Sequence, residues 1–372
     1  MIVRGAQRSR SSQPDGTRPE HAQDRETWWP LDIPTYDGDP SVGHPSVVFV
    51  PEGWNGYRYW MAFTPFPDGR RENPSIVVSQ DGIRWWVPDG LSNPVVSADE
   101  IRRAGYRYNS DPELVLTPGG RMLLYYRPFS GPGNEAILYK RSQDGVEWSS
   151  GQMVLCNQAR YPVELLSPAV EVGMDGVLVM WTVNGLNLGR RVIERRTSVD
   201  GLQWSPPERC AVPRGVNPWH LDVVAASGLY HMLVNDRSRL FYWTSDDGRT
   251  WTGSRREAVG RSGTVHDARG HYRSTFVATR SPSPQWDVWI TGQNGAGRNV
   301  FWDVWRMGLL RNLDLAAGAS EEGRRDLWLE WRWRWQHLRG RSLEQVLIGT
   351  DRLRWTVNRF MAGGQVMQKA RC

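Results

Sequence analysis

Five polar side chains stand at the head of five apolar strands: His44-Pro45-Ser46-Val47, Asp111-Pro112-Glu113-Leu114, Ser167-Pro168-Ala169-Val170, His220-Leu221-Asp222-Val223 and Arg273-Ser274-Thr275-Phe276. Counted between positions 45, 112, 168, 221 and 274, they recur at intervals of 67, 56, 53 and 53 residues. Imidazoles, carboxylates and a guanidinium at equivalent places can bond hydroxyl groups, transfer protons or ligate a divalent ion. Glu113 and Asp222 follow two residues along their strands, Glu164 precedes the third strand, and Glu72 lies in Glu72-Asn73-Pro74. Each of these residues alone could be a solvated or hydrogen-bonded strand end. Recurrence in register makes them a candidate group.

Such a group needs elements to gather it. Four heptads share the pattern S-x-D-G-x-x-W: Ser79 to Trp85, Ser142 to Trp148, Ser198 to Trp204 and Ser245 to Trp251, spaced 63, 56 and 47 residues apart. Asp-Gly suits a tight turn because Gly accepts positive φ and the Asp carboxylate bonds backbone N–H groups. The Trp is expected to open the following strand as a buried anchor. Between heads and heptads run aromatic second strands such as Tyr57–Phe63, Met122–Tyr126 and Val177–Trp181. A four-stranded unit repeated five times predicts an all-β fold, a five-bladed β-propeller. The fifth unit has no heptad, and the segment Trp28–Tyr36 is expected to supply its outer strand and close the ring. In a propeller the inner strands lead toward the axis, which places His44, Asp111, Ser167, His220 and Arg273 around one funnel, with Glu164 and Glu72 joining its rim.

We divide the chain into a disordered tail (1–27), the propeller (28–310) and a Trp/Arg-rich C-terminal extension (311–372) of mixed or helical character. In the extension, Leu327–Trp335 alternates as a strand would, while Ser342–Phe360 carries Leu343, Val346, Leu347, Leu353 and Val357 at helical spacing. The 372 residues include 21 Trp, and the formal net charge is +6. Flat indole rings stack on sugar faces, although at least four of the tryptophans belong to the heptads. The basic residues are scattered and no nucleic-acid motif occurs, so a nucleic-acid partner is not expected. Three cysteines lack metal-ligand spacing and imply no disulfide framework. No apolar run is long enough to span a membrane. The N-terminus lacks the apolar core of a secretory signal, leaving cytoplasmic or virion-associated placement open.

The heptads resemble Asp-box repeats, which are common in sialidases and other propellers. The five-fold ring with Asp-Pro at an inner strand resembles the furanosidase-type glycoside hydrolases, a group including arabinanases, β-xylosidases, invertases and levansucrases. The resemblance covers about residues 36–310. It implies a base or nucleophile aspartate on the first blade, a pKa-tuning aspartate on the second and an acid glutamate on the third. Asn109-Ser110-Asp111-Pro112 matches the second-blade position. His44-Pro45 stands where the first-blade Asp-Pro is expected, leaving Asp37 or Asp39 as displaced candidates, and Ser167-Pro168 occupies the third-blade Glu-x-Pro setting. Glycoside cleavage needs two carboxyl groups, about 5–5.5 Å apart for retention and roughly 6.5–9.5 Å for inversion. The catalytic candidates are therefore Asp111, Glu164 and Asp222. The substrate-binding candidates are His44, Glu72, Glu113, Arg127, Trp219, His220, Tyr272 and Arg273. Sialidase chemistry would need three arginines on a carboxylate and normally six blades; Arg127, Arg273 and five units fall short. A metal held by His44, His220 and nearby carboxylates is a third option, though no short-range ligand spacing marks it. No cofactor is assigned, and the resemblance admits a calcium ion in the axial channel.

The expected function is carbohydrate recognition in the axial funnel, extending to hydrolysis of a surface polysaccharide. The alternative is a non-catalytic receptor-binding or structural protein of a phage tail or similar particle. In that role the C-terminal extension would serve self-association or a particle partner. The run Trp28-Trp-Pro-Leu-Asp-Ile-Pro with Glu72-Asn-Pro-Ser-Ile resembles uncharacterised phage-type members.

Overall fold

The computed structural model describes residues 29–66, 72–103, 105–131, 134–156, 164–185, 191–262, 267–279, 284–293 and 305–315. The N-terminal tail, and the extension from residue 316 onward with its two expected elements, lie outside the described residues.

The chain forms five antiparallel sheets. The first blade holds β2 (Val42–Trp54), β3 (Tyr57–Pro65) and β4 (Ser75–Ser79), and the second β5 (Tyr108–Leu116), β6 (Met122–Gly131), β7 (Asn134–Ser142) and β8 (Gln152–Cys156). Blade three is β9 (Leu166–Val172), β10 (Leu178–Asn184), β11 (Val192–Ser198) and β12 (Glu208–Arg209); blade four is β13 (His220–Ala226), β14 (Leu229–Asp236), β15 (Arg239–Ser245) and β16 (Thr252–Gly253). The fifth blade joins β17 (Gly270–Ala278), β18 (Trp286–Gln293) and β19 (Trp305–Leu313) to β1 (Trp29–Pro30). Trp29 pairs with Leu309 and Leu31 N–H donates to Met307 O at 3.0 Å, so the first and last strands close the ring as the repeat count demands. Five buried apolar clusters fill the five seams between blades; one, for example, joins Trp60 and Ile76 of the first blade to Leu114 and Leu124 of the second.

Each heptad is a self-contained hydrogen-bonded turn. In Ser142 to Trp148, the Ser142 hydroxyl accepts from Gly145 N–H at 2.8 Å. Asp144 Oδ1 accepts from the N–H groups of Val146 (2.9 Å) and Glu147 (2.8 Å). Trp251 stands directly before the outer strand β16 of blade four, but in blade two the Trp does not open the outer strand as expected. Trp148 Nε1 donates instead to the carbonyl of its own Gly145 at 3.0 Å, and β8 begins only at Gln152. The indole's single N–H is better satisfied by the nearby turn carbonyl than on an outer strand. The same Asp and Ser bonds recur at Ser79, Ser198 and Ser245.

These turns also sew the blades together. Trp289 of blade five donates to Gly82 O at 3.0 Å, Tyr125 of blade two to Gly201 O at 2.9 Å, and Trp181 of blade three to Gly248 O at 2.8 Å. The heptad glycine is thus required twice. At Gly145, φ is +80°, and a Cβ would overlap the Trp60 ring of the preceding blade. Cys210 is a buried thiol.

Candidate functional site

The inner strands deliver their leading side chains by a shared backbone device. His44, Asp111 and Ser167, each directly before a proline, have positive φ of 54°, 49° and 51°. In all three blades the β-ladder slips in register at this point. A left-handed residue in a bulge re-aims its side chain, at a cost of about 1–3 kcal/mol that the surrounding sheet must offset. The strain is spent on bringing three side chains to one place on the axis. His220 reaches the same place in regular register with Asn235.

Asp111 is the centre of the cluster and is fully buried. Its Oδ2 accepts from Arg127 Nε at 2.7 Å and from Ser167 N–H at 3.3 Å. Its Oδ1 faces His44 Nε2 and His220 Nδ1, both at 3.5 Å, and Arg273 Nη1 at 3.7 Å, without a hydrogen bond to any of them. His44 is held from behind, its Nδ1 contacting Thr64 Oγ1 at 2.8 Å, whereas His220 Nδ1, the nitrogen that faces Asp111, also contacts Ser167 Oγ at 2.9 Å. His220 Nε2 is buried with no partner among the described residues. Donor atoms of His44, Asp111 and His220 lie within 4.8 Å of one another.

The charge states follow from burial. Desolvation lowers His44 to about 4, against the pull of Asp111, and pushes His220 well below the usual imidazole value. Burial would raise Asp111, but Arg127 foremost, with Arg273, holds it well below the usual carboxylate range. Two neutral imidazoles beside an ionised carboxylate is the donor set a divalent cation requires. The orphaned Asp111 Oδ1 and His220 Nε2 also fit such an ion, because each is a buried acceptor-type atom that one could satisfy. The ring thus brings together two imidazoles and a carboxylate that no spacing signal in the sequence had linked.

The structure sorts the other candidates. Glu72 is buried at the site, and burial, then Asp111, raise its carboxyl well above the ordinary value against the opposing effect of Arg127. Arg127 is no open anion receptor: beyond Asp111 it donates to Glu135 Oε2 at 3.0 Å and Ser110 Oγ at 3.1 Å. Tyr272 packs against both imidazoles, with ring centroids 5.4 Å from His44 and 4.5 Å from His220, and it hydrogen-bonds Trp219. Glu164 is half-buried, in an ion pair with Arg191 Nε at 3.3 Å. The Arg191 guanidinium in turn lies 4.0 Å over the Trp219 ring.

Glu113 and Asp222 belong to a circular seam instead. Ser46 Oγ accepts from Leu114 N–H (2.9 Å) and Glu113 Oε1 from Val170 N–H (3.2 Å). Glu171 Oε2 accepts from Ala225, Asp222 Oδ2 from Phe276 and Thr275 Oγ1 from Val47, each at 3.2 Å. Each blade thereby grips the next blade's inner strand. Blade three has Ala169 at the shared position, too short to reach, and Glu171 two residues further does the work. Arg273, placed around the funnel with the other strand heads by the sequence pattern, is 1% exposed and bonded to Glu113 Oε2 at 2.8 Å. Glu135, Thr64 and Tyr108 were missed by sequence reasoning. They come from second and third strands or a strand entry, where only the Asp111-Arg127 pairing across β5 and β6 could have pointed to them.

No protein-family profile matches the chain. Its sequence is similar to an A type blood N-acetyl-alpha-D-galactosamine deacetylase of Flavonifractor plautii, 30% identical over 283 residues. The match covers 59% of this chain and 36% of that protein, so the chain spans about a third of its relative's length. Among solved structures it is similar to an N-acetylgalactosamine deacetylase from F. plautii in complex with blood group B trisaccharide. That likeness has TM-score 0.66 and 24% identity, covering 79% of this chain and 96% of the other. A thermostable family-43 glycoside hydrolase (TM-score 0.55, 14% identity, 73% and 89% covered) shares the fold. So does a family 117 glycoside hydrolase of Zobellia galactanivorans (TM-score 0.54, 14% identity, 79% and 92% covered). At these identities the structural likenesses establish the five-bladed propeller.

Proposed function

We propose that this chain is a metal-dependent hydrolase that removes the acetyl group from an N-acetylated amino sugar of a glycan. The observation that carries the reading is the buried His44, Asp111, His220 triad, with donor atoms within 4.8 Å and an unsatisfied carboxylate oxygen at its centre. The name of the sequence relative supports it, as does the sharing of this fold by carbohydrate-active enzymes.

The reaction consumes one water: the amide C–N bond breaks, acetate leaves and the sugar keeps a free amine. His44, Asp111 and His220 would hold the cation, which when bound would polarise the acetamido carbonyl and acidify water. Thr64 and Ser167 fix the orientations of the two imidazoles, and Arg127 fixes Asp111. Glu72, the buried acid beside Asp111, donates its proton to the departing nitrogen and regains one from the water consumed in the reaction. Tyr272 and Trp219 offer a flat wall to the apolar face of the sugar ring.

A two-carboxylate glycosidase site has less in its favour. Glu113 and Asp222 are engaged by backbone N–H groups, and Glu164 by Arg191. No observation favours the particle-protein alternative.

The test is an assay of acetate and of reducing-sugar release from oligosaccharides ending in N-acetylgalactosamine or N-acetylglucosamine. Acetate release that stops with a chelator and returns with a divalent metal is expected. Reducing sugar without acetate would make the protein a glycosidase and overturn the reading.

A further inference from the structure

A cleft of about 250 Å³ opens on blade three, lined by Arg191, Arg209 and Arg214 around Val192, Val212 and Cys210. Its lining contains no acidic side chain. Arg191 precedes β11, Arg209 ends β12, and Arg214 lies on the connection leading to Trp219 and His220. The cleft therefore reaches Trp219, next to His220, and Glu164 through Arg191, whose guanidinium covers the one and meets the other. Glu208 is the acid nearest in sequence to Arg209, but Arg249 at 2.7 Å and Arg195 at 3.6 Å claim it. Among the described residues neither Arg209 nor Arg214 has an ion-pair partner, and both side chains are exposed.

Arg191 is engaged by Glu164, but Arg209 and Arg214 leave two guanidinium groups over an apolar floor without an ion-pair partner among the described residues. That suits an anion rather than a neutral sugar, because each planar fork can bond a carboxylate or sulfate through two N–H groups. We infer that this cleft is a subsite for an anionic substituent, a sulfate or carboxylate, on the sugar adjoining the one held in the funnel. The inference deepens the proposed function by making the substrate an acidic glycan, and it rests on that reading for the glycan itself.

The experiment compares three tetrasaccharides by calorimetry: unsulfated chondroitin, its carboxyl-reduced neutral counterpart, and sulfated chondroitin. Wild type is compared with the double variant R209A/R214A, whose exposed side chains leave the fold intact. The acidic glycan is expected to bind about tenfold tighter than the neutral one, an advantage that shrinks with salt. In the double variant that advantage disappears while neutral-glycan affinity is unchanged. Comparing sulfated with unsulfated chondroitin tells sulfate from carboxylate. Equal binding of acidic and neutral glycans by wild type, or a preference that survives in the double variant, overturns the subsite and leaves the funnel reading standing. If no glycan binds, the funnel reading fails, and inorganic sulfate decides the cleft. Tighter sulfate binding by wild type than by R209A/R214A supports it, and equal binding overturns it.

Discussion

The floor of the funnel and the heptad turns at the perimeter are both built from aspartate, serine and aromatic rings, yet they are opposite in energetic character. At the perimeter Asp144 receives two backbone N–H groups, its serine is bonded, and the only left-handed residue is a glycine. On the floor, left-handed backbone falls on His44, Asp111 and Ser167, and polar atoms of Asp111, His220 and Arg273 stay unsatisfied. The turns are local minima that the chain repeats because they stabilise each seam. The floor is a strained arrangement held in place by those seams, and such sites are where chemistry is expected.

The contrast is broken most severely by Asp111→Asn. Acetate release should fall by about a thousandfold or more, and stability should drop on the order of 3 kcal/mol because Arg127 keeps a buried charge with half its compensation. Asp200→Asn at a perimeter turn should leave activity intact; if it abolished activity instead, the division between floor and perimeter would be wrong. Next in size is Gly145→Ala, where the Trp60 ring and a φ of +80° both oppose a Cβ. A loss of about 3 kcal/mol is expected by denaturant titration, against about 1 for Gly120→Ala, which has positive φ but open space. Equal losses at the two sites would show that the glycine serves the turn and not the seam.

The two regions should also answer pH in opposite directions. Burial raises Asp222 from 3.8 to about 6, so the folded state holds that proton more tightly than the unfolded chain. Its contribution is complete below about pH 4 and is lost as pH rises through about 6. Asp222→Asn should therefore flatten the fall in Tm between pH 4 and 7, and an unchanged slope would assign that fall to other groups. Asp144 is lowered, first by the N–H of Val146, so its contribution is present above its unfolded value and is lost as pH falls through the folded one. The smallest effect is expected for Ser198→Ala, about 1 kcal/mol for the lost bonds to Gly201 N–H and Asp200, with activity unchanged in the acetate assay.

Much of the architecture was legible because it repeats. A heptad whose Ser, Asp and Gly satisfy one another within seven residues is a local object, and four copies with five strand heads count the blades. Closure by Trp29 followed from the missing outer strand. The identities of the axial residues were legible for the same reason: they share a position in the repeat. Their roles were not. Whether a polar residue of an inner strand serves chemistry or stitching depends on its depth along the axis, and two residues separate His220 from Asp222, the one in the triad and the other in the seam.

What the sequence alone determined was the fold and the roll of residues facing the axis, because periodicity and turn chemistry act over a few residues at a time. Only the tertiary structure decided that His44, Asp111 and His220 come within 4.8 Å of one another, that burial and Asp111 raise the Glu72 carboxyl, and that Arg273 is buried against Glu113. These residues lie on different blades, from 44 to 273 along the chain. Their mutual distances, and the desolvation that sets their charges, exist only once the ring has closed.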